Sequence, residues 1–133
     1  MGKTILVVDD DEGITEVVQM VLESEGYQVQ TSMTGDGLYH VNSIPPDLIL
    51  LDILLLGGDG REVCKALKSN PRTAHIPVVM LSAHSDTSLV ADTSGADDFL
   101  EKPFDLDTLI ATVKKHLVYS DPQPELLSGE VSD

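Results

Sequence analysis

The stretch DLILLDI, residues 47–53, decides the fold because it predicts a strand with no exposed face. Its centre is aliphatic without a break, and such a strand requires cover on both sides of its sheet. Asp52 nevertheless stands near its end, where the burial of a charge is costly. We therefore expect a parallel sheet between two layers of helices, and a functional reason for this carboxylate.

Short aliphatic runs alternate with helical patterns along the rest of the chain. The glutamines of YQVQT predict a half-exposed strand at an edge of the sheet. Together the patterns predict one α/β domain of five βα units, in which binding sites form outside the carboxyl ends of the strands. The other strands are predicted at residues 4–8, 27–31, 76–81 and 98–102, and weak helices at 34–43 and 85–94.

Two further predicted helices have clear apolar faces with i, i+3, i+4 and i+7 spacing. The first is expected to end at Gly26, and the helix after the third strand is expected to begin at the cap residue Asp59. Met20, Met33 and Met80 are expected to fill the core. The apolar faces comprise Ile14, Val17, Val18, Val21 and Leu22 in the first helix, and Leu106, Leu109, Ile110, Val113 and Leu117 in the last.

The charge of the chain limits its partners. Its 133 residues include 23 acidic and 8 basic side chains, and the formal net charge is −15. Such a chain repels phosphate groups, so direct binding of nucleic acid or of an anionic membrane is not expected. Neither a signal peptide nor a membrane-spanning run is recognisable, and the single cysteine, Cys64, rules out an internal disulfide. A cytoplasmic location is therefore expected.

Residues 1–119 are expected to form the domain. Residues 120–133 are polar, acidic and proline-bearing, which is typical of a disordered tail or of the beginning of a linker. The boundary follows from this change in composition after Tyr119.

Polar residues stand at the predicted carboxyl ends of four strands: Asp9 and Asp10, Asp52, Ser82 and Lys102. These ends share one edge of a parallel sheet, so the side chains are expected to converge on one pocket. Carboxylates at such short distances repel one another. A Mg²⁺ ion removes the repulsion, and it needs only one or two carboxylates as direct ligands. Each residue alone has an ordinary explanation as a helix cap, a turn residue or a solvated lysine. Together they predict phosphoryl transfer, with Asp52 as the nucleophile and Lys102 beside it.

These residues and their flanks resemble the receiver domain of two-component response regulators. The matching pieces are ILVVDDDE, PDLILLDI with the DG at 59–60, PVVMLSA and GADDFLEKPF, and they extend from Lys3 to about Leu117. The resemblance implies a flavodoxin-like (βα)5 fold with strand order 2-1-3-4-5 and helices on both faces. It also implies a signalling protein, not an enzyme, that catalyses its own phosphorylation and slow dephosphorylation.

The resemblance also implies a metal site and a protein that donates the phosphoryl group. Asp52 would accept the phosphoryl group from a sensor histidine kinase or a histidine phosphotransfer protein. Asp10 and Asp52 would bind Mg²⁺ directly with the backbone carbonyl of Leu54, and Asp9 would act through a metal-bound water.

A switch is implied as well. Lys102 would bind the phosphate, Ser82 would be the switch hydroxyl and Phe99 the switch aromatic, and the Lys102–Pro103 peptide would be cis. The face made by the fourth helix, the fifth strand and the fifth helix would then change shape, and it could form a homodimer. The downstream output domain or target is not implied.

The chain departs from the family pattern at several positions. Leu56 replaces a common proline, and Phe99 lacks the hydroxyl of a tyrosine. Leu54 and His84 lie at the expected rim of the attacking water, and a leucine cannot orient a water. We therefore expect slow self-dephosphorylation.

Three other functions stay open on the residues alone. A phosphohydrolase with an aspartate nucleophile would need a second aspartate at position 54, where this chain has leucine. A flavodoxin-type electron carrier would need a hydroxyl- and glycine-rich phosphate loop in place of DDDEG. A receiver-like interaction module that is never phosphorylated would have no need of the full set of acceptor residues.

Overall fold

The computed structural model describes residues 3–33, 45–55, 58–83 and 95–120, without the side chains of Leu54, Ala83 and residues 118–120. The features predicted at 34–43, at Leu56, at His84, at 85–94 and beyond residue 120 lie outside the described residues.

Five parallel strands form the sheet, in the spatial order β2-β1-β3-β4-β5. The predicted order 2-1-3-4-5 is thereby confirmed, with the glutamine-bearing strand at one edge. The second and fourth strands begin one and two residues later than predicted, and Pro77, which has no N–H, precedes the fourth. The strands are β1 Thr4–Val8, β2 Gln28–Ser32, β3 Leu48–Asp52, β4 Val78–Ala83 and β5 Asp98–Lys102.

A small antiparallel ladder that the sequence analysis did not predict follows β3. It pairs Leu54–Leu55 with Gly58–Asp59, so the chain leaves Asp52, turns and returns to the helix α2 within a few residues.

Three helices are described: α1 Glu12–Ser24, α2 Gly60–Ser69 and α3 Leu106–Ser120. Asp59 caps α2 as predicted, and its carboxylate accepts the N–H of Arg61 at 2.9 Å. The last helix extends to Ser120, one residue beyond the predicted domain boundary. Within the described ranges, no helix is long and apolar enough to cross a membrane.

Gly26 ends α1 as predicted, in a Schellman motif. Its φ of 98° lies in the left-handed region that only glycine adopts without strain. The Gly26 N–H donates to the carbonyl oxygen of Glu23 at 3.0 Å, and the Tyr27 N–H donates to that of Leu22 at 3.2 Å. These bonds satisfy carbonyl groups that the helix end would otherwise leave unpaired.

Alternate residues of the strands face two separate halves of the core. On one face, Ile5, Val7, Leu48, Leu50, Leu81 and Leu100 pack with Val18 and Leu22 of α1 and with Leu109, Val113 and Leu117 of α3. On the other face, Leu6, Val8, Ile49, Leu51 and Met80 pack with Cys64 and Leu67 of α2. The prediction of helices on both faces is confirmed, and every residue of β3 is buried.

Some apolar residues that were expected in the core are exposed. Met20 is 66% exposed and Met33 42%, so of the three methionines only Met80 is buried. On α1 the stripe is centred on Val18 and Leu22, and Val17 lies about 100° round the helix from Val18. Val17 and, at the beginning of α3, Leu106 therefore form the rim of the apolar faces and remain 43% and 42% exposed.

Candidate functional site

The carboxyl edge of the sheet collects the residues that the sequence singled out. Asp9 follows β1 directly, Asp52 ends β3, and Lys102 ends β5. All three continue the strand alternation that places Ile5 and Val7, Leu48 and Leu50, and Leu100 on the face covered by α1 and α3. The period of two residues therefore points these side chains to the same side of the sheet.

Three carboxylates meet at this edge. One oxygen each of Asp9, Asp10 and Asp52 lies within 4.8 Å of the other two. Asp9 is fully buried and its Oδ1 accepts the N–H of Asp11 at 3.0 Å, which fixes the orientation of the carboxylate. Asp52 is buried as well, whereas Asp10 is exposed. The cluster is therefore anchored below the surface and open to solvent on the Asp10 side.

Lys102 joins two of these carboxylates. Its Nζ lies 2.8 Å from Oδ2 of Asp9 and 3.4 Å from Oδ2 of Asp52. Burial alone would lower the pKa of Lys102, but its contacts with Asp9 and Asp52 outweigh burial and raise the pKa above its usual range. The ammonium is therefore charged at neutral pH, and its nearer neighbour is Asp9, where the sequence had suggested Asp52.

Asp52 holds a proton more tightly than an ordinary aspartate. Burial, followed by repulsion from Asp9, raises its pKa from 3.8 to about 6, and Lys102 opposes this rise only in part. Because one ammonium does not neutralise three carboxylates, the site favours further positive charge.

The residues present fit a hard divalent cation. Oδ2 of Asp9 is buried and, among the described residues, receives no well-directed hydrogen bond in addition to the ion pair with Lys102. All the donors of the cluster are carboxylate oxygens, which Mg²⁺ prefers, and the exposed Asp10 side leaves room for the waters that Mg²⁺ retains. The backbone of Leu54 lies two residues beyond Asp52, in the small ladder.

Ser82 and Phe99 alternate along their strands with Leu81 and Leu100, which pack against α1 and α3. Ser82 is buried in β4, one residue beyond Leu81, which pairs in register with Asp52. Phe99 pairs with Met80, alternates with the inward-facing Leu100 and is 41% exposed. The Lys102–Pro103 peptide is cis, as the resemblance implied.

Two features of the site were missed in the sequence analysis. Gly60 packs directly on the backbone of Asp52, and the only sequence signal for this contact is the DG pair at 59–60. A cleft of about 370 Å³ also opens beside Lys102, between α1 and the segment that leads into α3. It is lined largely by apolar side chains, among them Ile14, Val17, Phe104 and Leu106.

Comparison with known proteins agrees with this geometry. A sequence model of the family described as the response regulator receiver domain matches residues 5–114. The DNA-binding response regulator MtrA of Mycolicibacterium paratuberculosis is 41% identical, over 96% of this chain and 57% of its own length. The phosphate regulon transcriptional regulatory protein PhoB of Rhizobium meliloti is 37% identical, over 93% of this chain and 55% of its own length.

Solved structures have the same fold. The crystal structure of the signal receiver domain of a signal transduction histidine kinase from Syntrophus aciditrophicus has a TM-score of 0.83 and 32% identity, and the match covers 92% of this chain and 95% of that chain. The receiver domain of NtrX from Brucella abortus has a TM-score of 0.78 and 37% identity, with 86% and 98% covered.

The chain spans little more than half the length of the curated relatives it matches. Because MtrA is named as a DNA-binding response regulator, these relatives do not confirm the expectation that nucleic acid is not a partner. The cytoplasmic location also stays a prediction. The chain belongs to the response regulator receiver domain family, and it is a phospho-accepting signalling domain of two-component systems.

Proposed function

We propose that Asp52 is the residue that accepts the phosphoryl group, and that its donor is a phosphohistidine on a sensor kinase or a phosphotransfer protein. The observation that carries this assignment is the burial of Asp52 within a cluster of carboxylates and beside the Lys102 ammonium. A carboxylate in this environment has a cost that an ordinary structural role would not explain.

The transfer requires an ionised Asp52 and an oriented donor. A carboxylate oxygen of Asp52 forms the new bond to phosphorus as the bond between phosphorus and the donor imidazole nitrogen breaks. The electron pair of the broken bond remains on that nitrogen, which takes up a proton. Lys102 neutralises a phosphoryl oxygen, because its Nζ already lies 3.4 Å from Oδ2 of Asp52 while it is paired with Asp9.

A Mg²⁺ ion would be held directly by Asp10, Asp52 and the backbone carbonyl of Leu54, with Asp9 acting through a bound water. When bound, the ion supplies positive charge that keeps Asp52 ionised and offsets the charge of the transferring group. The position of Asp9 supports this arrangement, because a carboxylate oxygen of Asp9 lies within 4.8 Å of one oxygen each of Asp10 and Asp52.

The readout involves Ser82 and Phe99. Phosphorylation adds about two negative charges and three acceptor oxygens, and the hydroxyl of Ser82 moves to donate to one of them. Phe99 is exposed before this event and turns into the space that Ser82 leaves. The result is a shift between two packings of the face that contains β5 and α3, which is also the face proposed for a homodimer or an output partner.

The apolar cleft supports a docking position for the donor. It adjoins Lys102 and Asp11, so a protein seated on Val17 and Leu106 can present a histidine to Asp52. Because the chain carries a net charge of −15, the donor surface is expected to be basic around an apolar centre.

The decisive test is incubation with acetyl phosphate and Mg²⁺, followed by intact mass spectrometry. The wild type should gain one phosphoryl group that hydroxylamine removes, and Asp52→Asn should gain none. Asp47→Asn is the matched control, because Asp47 lies at the opposite end of β3 and its carboxylate accepts the N–H of Thr4. A phosphoryl group that persists in Asp52→Asn would show that another residue is the acceptor.

A further inference from the structure

Gly60 packs so closely on the backbone of Asp52 and Ile53 that there is no room for a Cβ atom. It is the first residue of α2, it is buried, and its N–H donates to the carbonyl oxygen of Ile53 at 2.6 Å. A Cβ built on Gly60 would overlap the backbone carbonyl oxygen of Asp52 and would lie 3.0 Å from Cα of Ile53. A side chain of any size at position 60 therefore forces α2 or the end of β3 to move.

The backbone under this contact leads into the site. Leu54 pairs with Asp59 and Leu55 with Gly58, so the ladder ties the segment after Asp52 to the two residues that precede Gly60. The Asp59 carboxylate in turn accepts the N–H of Arg61 at 2.9 Å and pairs with its guanidinium at 2.7 Å, which holds the ladder to the beginning of α2. Asp52, the ladder and the first turn of α2 thus form one packed unit.

We propose that Gly60 is a positioning residue for divalent-cation binding, because its missing side chain sets the distance between α2 and the segment that carries Asp52 and the Leu54 carbonyl. This proposal rests on the proposed function, which names these two groups as cation ligands. Asp9 and Asp10 follow β1, a different strand, so a shift at position 60 moves one half of the ligand set relative to the other.

Helix propensity alone predicts that replacing Gly60 stabilises α2, whereas the close packing on Asp52 predicts that it disturbs the site. Alanine favours a helix more than glycine does, so Gly60→Ala would stabilise the protein if the position were open. Gly58 provides the matched control, since it lies in the same ladder, is exposed, and has nothing within 4 Å of a Cβ built on it.

The experiment is a calorimetric titration of the apo proteins with Mg²⁺ alone, at a temperature where circular dichroism shows each variant to be folded. We expect the dissociation constant to increase at least about tenfold in Gly60→Ala and to stay within about twofold in Gly58→Ala. Denaturation in EDTA reports stability separately. A folded Gly60→Ala protein with wild-type Mg²⁺ affinity would reduce Gly60 to a structural role and overturn the proposal.

If Gly60→Ala does not fold, amide hydrogen exchange of the wild type gives the answer. Saturation with Mg²⁺ should slow exchange of the Gly60 N–H at least about fivefold and leave that of Gly26 unchanged. Unchanged exchange at Gly60 would overturn the proposal. A wild type that binds no Mg²⁺ would overturn the proposed cation site together with this inference, whereas equal binding by wild type and Gly60→Ala would overturn the inference alone.

Discussion

Asp9 and Lys102 form an ion pair beneath the acceptor site, with Nζ 2.8 Å from an Oδ2 atom that has no access to solvent. The pair joins the ends of β1 and β5, which lie on opposite sides of β3 in the sheet. Removal of the lysine would therefore leave a fully buried carboxylate without its counter-charge, as well as a site without its ammonium.

We expect Lys102→Met to lower the free energy of unfolding by about 3 kcal/mol, because a buried ion pair loses one partner. Phosphorylation by acetyl phosphate should be lost as well. Urea denaturation and intact mass spectrometry measure the two effects.

Lys68→Met is the matched control for this substitution. The Lys68 side chain is 18% exposed, as is that of Lys102, and it pairs with Asp97 at 2.7 Å and donates to the carbonyl oxygen of Ile76 at 2.7 Å. It should lose stability, by about 2 kcal/mol, but accept the phosphoryl group normally. Normal phosphorylation of Lys102→Met would contradict the role proposed for Lys102.

Stability without a cation should depend on the protonation of Asp52. Burial and the nearby Asp9 raise the pKa of Asp52 from 3.8 to about 6, so the folded state holds the proton more tightly than the unfolded state. The protonated Asp52 therefore adds to the free energy of unfolding at pH values below 3.8, its pKa in the unfolded chain. This added stability, at most about 3 kcal/mol, is lost as the pH rises through about 6.

Asp52→Asn has no such proton to lose, so its stability relative to wild type should rise from about pH 4 to about pH 6.5. Urea denaturation in EDTA across this range measures the difference. A constant difference between Asp52→Asn and wild type would contradict the raised pKa.

Substitutions of the neighbouring residues Asp10 and Asp11 should differ in their effect on stabilisation by Mg²⁺. Asp10 belongs to the carboxylate cluster, whereas Asp11 caps α1 by accepting the N–H of Ile14 at 3.2 Å, a bond that asparagine can also make. Mg²⁺ at ten times its dissociation constant should stabilise the wild type and Asp11→Asn by about 1.4 kcal/mol. Asp10→Asn should be stabilised much less by the same Mg²⁺ concentration, as measured by thermal denaturation. Equal stabilisation of Asp10→Asn and the wild type would show that Asp10 does not bind the ion.

A charge in the apolar cleft should slow phosphorylation by a protein donor but not phosphorylation by a small-molecule donor. Val17→Asp is expected to slow transfer from a phosphohistidine protein by about tenfold or more, because the carboxylate would be desolvated in the interface. The rate with acetyl phosphate should stay the same, since this donor has no surface to dock. Met33→Asp is the control, as Met33 is exposed to nearly the same extent, 42% against 43%, and lies outside the cleft lining. Equal slowing with both donors would contradict a docking role.

The lifetime of the phosphorylated state should depend on Leu54. Leu54→Asn is expected to release phosphate several times faster than the wild type, because an amide two residues after the acceptor can orient the attacking water. Decay of the phosphorylated protein, followed by mass spectrometry after removal of the donor, measures the rate. Equal decay in both proteins would refute this expectation.

The sequence by itself determined the sheet and the face on which the site would form. The unbroken aliphatic run of β3 required cover on both sides, and the alternation of strands with helices left few topologies for five parallel strands. The period of two residues then brought Asp9, Asp52 and Lys102 to the same side, because side-chain direction in a strand depends on position alone.

Only the tertiary structure decided which atoms meet. It paired Lys102 more closely with Asp9 than with Asp52, placed Gly60 against the Asp52 carbonyl, and left Met20 in solvent. These outcomes depend on distances between elements that are far apart in the chain, such as the approach of α2 to the end of β3. Residue type and spacing give the direction of a side chain, but not the separation of two packed backbones, which is the sum of all the contacts in the core.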